Sequence, residues 1–288
     1  MYKIRPLQLT DKVDILEIAQ HTWDGYDYLP YFFESWLKDT DSHTAAIEVD
    51  EHVVALANLR IIDNGQTGWM EGLRVHPDYR GTGMATVLTK HIVEMAEKIP
   101  VARIRYTTAA GNEPSLHLAE KVGMKRKITY ANHWQDQLDN ISLSPSGQLG
   151  EPISPMMYYE ELHQSKIIPH GIIVYDWKAI DITLENLQKI SHLANFWIER
   201  ENNEIQSFSL GFVKEVKSGP EWSSTIYTSN KTNFLNQVSN HLTYALSNKC
   251  NSLFLIYPLE FQETLYELDW IRIWEDEVME MVLLERIF

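Results

Sequence analysis

The hydrophobic pattern is sharpest between Trp69 and Pro100, where its period changes once. Leu73 and Val75 alternate with polar neighbours on a short strand. Pro77 stops that strand, and Tyr79 to Gly83 makes a glycine-bearing turn. Met84, Leu88, Ile92, Met95, Ala96 and Ile99 then recur at helical spacing until Pro100. Upstream, Tyr2 to Pro6 predicts a strand, and Thr10 or Asp11 caps a helix through Ile15, Ile18 and Ala19. Thr44 to Val49 and His52 to Ile62 predict a hairpin closed by Asp50-Glu51, and Asp63-Asn64-Gly65 turns the chain back. Downstream, Ala102 to Thr108 predicts a strand and Glu113 to Val122 a short helix that Gly123 ends in a left-handed cap. Met124 to Tyr130 predicts a further strand.

The stretch SPSGQLGEP, within 139–152, has linker composition or that of a long surface loop. Beyond it the element order repeats. Strands are expected at Ile172 to Tyr175, Phe208 to Val216, Ser223 to Thr228 and Leu253 to Tyr257, with helices at Leu184 to Leu193 and from Phe234 to Leu246. A short helix at Phe261 to Leu268 and a β-rich end from Ile271 to Leu284 follow. This order predicts a degenerate second copy of the first half. No glycine occurs between Ser223 and Cys250, so that copy lacks a backbone cradle for a phosphate. Trp222, Trp270 and Trp274 are expected in its core.

HTWDGYDYLPYFFESWL breaks the helical pattern at Asp24, Gly25, Asp27 and Pro30 and is loaded with aromatics, among them Trp23, Tyr26, Tyr28, Phe32, Phe33 and Trp36. Phe32, Phe33 and Trp36 are expected to pin it to the sheet. Asp24, Tyr26 and Asp27, acids and a phenol in a loop, are candidates for holding a substrate.

At 288 residues the chain suits two domains, and 44% hydrophobic content with nine tryptophans supplies real cores. A net charge of −15 argues against nucleic-acid binding. Cys250 is the single cysteine, which excludes an intramolecular disulfide and fits a reducing, cytoplasmic setting; it is expected to be buried and inert. No apolar run reaches membrane-spanning length, and no metal-ligand pattern is expected.

Gly81 and Gly83 between a strand and a helix N-terminus form an anion site: the backbone can approach closely and the first-turn amides point outward. Arg80-Gly81-Thr82-Gly83-Met84-Ala85 fits R/Q-x-x-G-x-G/A, and Asn112-Glu113-Pro114-Ser115 followed by LAEKVGM supplies a second element at the expected distance. On these motifs the chain resembles the GCN5-related N-acetyltransferases (GNAT). The resemblance implies an α/β (α+β) GNAT fold, a central mixed, mostly antiparallel sheet flanked by helices. The expected division is a catalytic domain at 1–138, a linker at 139–152 and a degenerate GNAT-like domain at 153–288. That second domain is expected to close the acceptor pocket or to form a homodimer surface.

The resemblance further implies acetyl-CoA as donor, transferred directly to an amine in a ternary complex. Cofactor binding falls to Arg80, Gly81, Thr82, Gly83, Met84, Ala85 and Thr86, with the backbone of Leu73, Arg74 and Val75 along the pantetheine arm and Asn112 and Ser115 near the second helix. The Val75 amide is the expected oxyanion donor. Glu71 is the first candidate for general base, expected on one strand face with Leu73 and Val75; the rival reading is a structural pair with Arg60. His21, Asp24 and His117 are weaker bases. Ala119 stands where many members carry the tyrosine that protonates the thiolate, which leaves Ser115, His117, Tyr130 or water for that step. YDYLP and EGLRV are similar to the histidine N-acetyltransferase branch, implying a small-molecule amine acceptor, the α-amine of an amino acid such as histidine. Two alternatives stand beside this: peptide or protein N-terminal acetylation, and a non-catalytic acyl-CoA sensor.

Overall fold

The computed structural model describes residues 1–22, 27–141, 151–202, 204–272 and 279–288. They form two compact units. The first comprises Met1–Tyr106, Asn112–Lys127 and Leu284–Phe288; the second comprises Thr107–Gly111 and Ile128–Leu283.

In the first unit, β1 (Tyr2–Arg5), β2 (Ser42–Val49), β3 (His52–Ile62) and β4 (Thr67–Val75) pair antiparallel in sequence order. The β2–β3 turn is the expected one: Asp50 and Glu51 both take positive φ, at 49° and 68°, as a two-residue hairpin turn demands. β5 (Arg103–Ala109) then joins β4 in parallel. The parallel join follows from the intervening helix α3 (Met84–Glu97), whose Leu88, Ile92, Val93 and Ala96 are buried on one sheet face.

On the other face lie α1 (Lys12–Gln20) and α2 (Leu29–Lys38). Ile15, Ile18 and Ala19 of α1 and Leu29, Phe33 and Trp36 of α2 pack on Ala46, Val53 and Leu56. Phe33 and Trp36 pin their segment as expected, whereas Phe32 is exposed. The helix α4 (Glu113–Lys121) ends at Gly123, φ +78°, the left-handed cap expected from sequence.

The residues that finish the first unit come from the far end of the chain. In the last strand, β13 (Met279–Ile287), Glu285 receives hydrogen bonds from Arg105 (2.8 Å) and pairs with Lys127 (3.0 Å). Asp63 stands 3.7 Å from the same Arg105 guanidinium. Burial acts to raise the Glu285 carboxyl, but Lys127 and Arg105 outweigh it and hold the group below its ordinary value.

In the second unit, strand order runs from β6 (Lys125–Gln135) to β12 (Ser252–Pro258), β11 (Gly219–Thr228), β10 (Glu204–Val216) and β9 (Asn195–Glu201). A small hairpin, β7 (Ile172–Tyr175) with β8 (Lys178–Asp181), stands apart from it. Helices α5 (Tyr159–Gln164), α6 (Leu184–Ser191), α7 (Lys231–Ser247) and α8 (Gln262–Leu265) complete the unit. Trp222 and Cys250 are core residues, and Trp270 packs against the same cluster. Trp274 lies outside the described residues. Ahead of the expected linker at 139–152, Leu138 is buried in the α7 core, and Tyr130–Gln135 pairs with β12. Residues 142–150 are outside the described set.

Candidate functional site

Two departures from a regular ladder shape β4. The parallel pairing to β5 covers Thr67, Gly68 and Trp69 and goes no further. On the other edge, three steps on β4 (Glu71 to Arg74) oppose two on β3 (Leu56 to Asn58), a β-bulge. Gly72 sits in this bulge at φ +70°, packed on the Trp36 indole. A Cβ there would collide with Trp36 Cη2 and stand 3.0 Å from Cζ3. Only glycine satisfies both the backbone and the space.

The bulge corrects the expected facing of Glu71. Paired residues in an antiparallel ladder share a face, so Glu71 opposite Asn58 and Arg74 opposite Leu56 lie together on the α1/α2 side. Val75, opposite Ala55, lies on the other face. Two-residue alternation fails because one extra residue stands between Glu71 and Arg74.

Around Glu71 the side chains are tightly tied. Asn58 Nδ2 donates to Glu71 Oε1 at 2.9 Å. The Arg74 guanidinium makes a two-pronged pair with Asp27, at 2.8 and 3.1 Å, and lies over the Tyr28 ring. Asp27 also accepts the Leu29 amide at the start of α2. Its carboxylate is thus occupied, and its side chain is almost fully buried. Burial pushes the Tyr28 phenol up from its ordinary value; Arg74 opposes this, Glu71 and Asp27 add to it, and a hydrogen bond with the Gly72 backbone opposes it. Arg60, the rival partner for Glu71, is held instead by Asp39 at 2.8 Å. Asp24 and Tyr26 lie outside the described residues.

The backbone of β4 faces the other way. His76 N–H donates to Val54 O at 2.8 Å, so alternation turns the Val75 N–H away from β3, to the side that β5 has left. Arg80 reaches over this edge, donating from Nε to Val75 O and from Nη2 to His21 O. Gly81 (φ +76°) and Gly83 (φ +88°) then shape the turn, and a Cβ at either would meet nothing within 4 Å. Gly83 is the N-cap of α3 and gives no side-chain cap, leaving the first-turn amides of Met84, Ala85 and Thr86 outside the helix ladder. An open concavity of amides at a helix N-terminus fits a pyrophosphate by chemistry and by space.

Asn112 serves the fold directly, because its Oδ1 accepts the Ser115 amide and caps α4. Ser115 Oγ meets the Tyr106 hydroxyl at 3.2 Å. Ala119 is buried on α4, His117 is exposed, and Tyr130 belongs to the second unit, its ring edge-on to Tyr227. Sequence reasoning missed Asn58, Tyr28 and the bulge. Gly72 inside a strand pattern was the available signal for the last. Among the described residues no cluster of histidine, cysteine or acidic side chains could hold a metal, and no helix is long and apolar enough to cross a membrane.

A strand that leaves its parallel neighbour, a bulge on its other edge and a glycine turn at the next helix give the first unit the architecture of the GNAT fold. Residues 10–124 match the acetyltransferase (GNAT) family, and that segment forms an N-acetyltransferase domain of this type. Members of that family use acetyl-CoA as donor. A histidine N-acetyltransferase from Scomber australasicus is 25% identical over 230 residues, covering 73% of this chain and 68% of its own length. One of the same name from Oreochromis niloticus is 24% identical over 233 residues, with the same coverage. A GCN5-related N-acetyltransferase structure from Sphaerobacter thermophilus has a TM-score of 0.65 at 14% identity, covering 99% of this chain and 95% of that one.

Proposed function

We propose that the chain acetylates the α-amine of a free amino acid, histidine being the first acceptor to test, and that the first unit carries the chemistry. Bound acetyl-CoA supplies an activated thioester carbonyl. The amides of Gly81 to Thr86 would hold its pyrophosphate, and the edge of Leu73 to Val75 that β5 leaves would lie along its pantetheine arm, as an added strand would. The Val75 N–H, turned to the open side, donates to the carbonyl oxygen as negative charge develops there. The acceptor amine must be neutral to attack, and Glu71 takes its proton, directly or through one water; the new C–N bond replaces the thioester C–S bond, and coenzyme A leaves as a thiolate that water protonates.

The observation that carries this reading is the bulge at Gly72. It turns the Glu71 side chain to one face while the Val75 amide remains on the open edge. Base and oxyanion donor are thereby separated on a single strand. An amino acid as acceptor is supported by the two relatives named for histidine acetylation and by the carboxylate of Glu71, which favours a cationic amine.

The second unit supports a degenerate copy that binds no acetyl-CoA. Its β10–β11 ladder runs from Ser207–Thr228 to Val216–Gly219 without a register shift, so no bulge forms. The N-terminus of α7 is closed by Asn230, whose side chain accepts the Asn233 amide.

The test is thiol release from acetyl-CoA with each free amino acid, for the unaltered protein and Glu71→Gln. Turnover with an amino acid that falls at least about 100-fold in Glu71→Gln, with acetyl-CoA affinity unchanged, is the expected result. Equal turnover in both proteins would remove Glu71 as base.

A further inference from the structure

Asn58 stands at the centre of the first unit's sheet, fully buried, opposite Glu71 and beside Leu56 on the same face. An aliphatic side chain would fill such a position without polar cost. The carboxamide instead donates to Glu71 Oε1 at 2.9 Å and to Ser42 Oγ at 3.3 Å, while its Oδ1 is buried without a hydrogen-bond partner. A buried carbonyl left unpaired lowers stability, so the residue is a net burden unless its donor side does something the fold needs.

That donor side leads outward through a chain of contacts. Ser42 Oγ donates to Asp39 Oδ2 at 3.2 Å, and Asp39 is fixed by Arg60 at 2.8 Å. Asn58 is therefore held from behind, and its one bond to an ionised group points forward to Glu71. Glu71 adjoins the bulge glycine, Gly72, at φ +70°.

We infer that Asn58 is a positioning residue for the proposed reaction: its Nδ2 fixes the orientation of the Glu71 carboxylate and favours the ionised, proton-accepting form. The inference rests on the reading of Glu71 as base. Among the described residues, the charged or titratable groups around this pair include Tyr28, Asp27 and Arg74, with Arg60 and Asp39 beyond Ser42 and His76 with Glu17 further along the same side. Of these, Arg74 and Asp27 pair with one another, and Asn58 Nδ2 donates directly to Glu71.

Asn58→Leu removes the donor at similar volume, and Asn58→Asp replaces it with a second acid. A donor lost from a carboxylate raises its pKa, and a like charge raises it further. In the kcat–pH profile, the acid limb should therefore move up by about half a unit or more in Asn58→Leu and further in Asn58→Asp. At neutral pH, kcat should fall roughly 10-fold or more while KM for acetyl-CoA stays within about twofold. A merely structural asparagine would move the melting temperature and leave the acid limb in place. Glu71→Gln is measured alongside. If it abolishes turnover while both folded Asn58 variants keep the acid limb of the unaltered protein, the positioning role is wrong and the base reading stands. If Glu71→Gln turns over normally, the base reading fails and the positioning role falls with it.

Discussion

Gly72→Ala tests the bulge on which the site is built. Alanine at φ +70° carries a left-handed backbone that costs about 1–2 kcal/mol for a residue with a Cβ. The new methyl also meets the Trp36 ring, colliding with Cη2 and standing 3.0 and 3.3 Å from Cζ3 and Cζ2. Trp36 is buried against Phe33 and Leu29 in the α1/α2 core, so the ring cannot move aside freely; such overpacking costs about 1–3 kcal/mol. The total, about 2–5 kcal/mol, corresponds to a melting temperature lower by roughly 5–15 °C. The two contributions separate in a cycle with Trp36→Phe, which lacks the colliding atom. The overpacking part, about 1 kcal/mol or more, should be recovered in the double variant, and the backbone part should remain. Circular-dichroism melts of the four proteins give the coupling. A melting temperature of Gly72→Ala within about 2 °C of the unaltered protein, with no coupling to Trp36, would refute the bulge geometry.

Glu285→Gln takes the ionised partner from the buried Arg105, and should cost about 3 kcal/mol in a denaturant titration, the low end for a broken buried pair. The Glu285 pKa lies lower in the folded chain than in the unfolded one, so its stabilisation is full above the unfolded value, near about 4.3, and drains away as pH falls through the folded value. A stability–pH curve should accordingly drop less steeply below about pH 4.3 in Glu285→Gln than in the unaltered protein. Gly83→Asp places a Cβ and a negative charge in the open cradle at the α3 N-terminus, and isothermal titration should show acetyl-CoA affinity lowered at least about 100-fold, with a far smaller loss of stability.

Local chemistry in the chain is legible where a residue's own backbone decides the structure. Asp50-Glu51, Gly81, Gly83 and Gly123 each signal a turn, and each takes positive φ. The period change from Val75 to Met84 locates β4 and α3 because alternating and helical burial differ over so few residues. The facing of Glu71 is misread from sequence because alternation assumes that no residue is inserted, and Gly72 inserts one. Asp27 resembles a free loop acid, since nothing near it in sequence announces Arg74, 47 positions away. β9 escapes notice because NFWIERE has only three apolar residues and no clean alternation. The place of Leu284–Phe288 in the first unit has no local signal, because it is set by Arg105 and Lys127 far back in the chain.

The central claim is acetyl transfer to an amino acid with Glu71 as base. It is tested most directly by thiol release from acetyl-CoA across the free amino acids, followed by mass determination of the product. The account predicts turnover with free histidine or another amino acid, a product heavier by one acetyl group on the α-nitrogen, and loss of that turnover in Glu71→Gln. Turnover confined to peptides, or none with any amino acid while acetyl-CoA still binds, would contradict it.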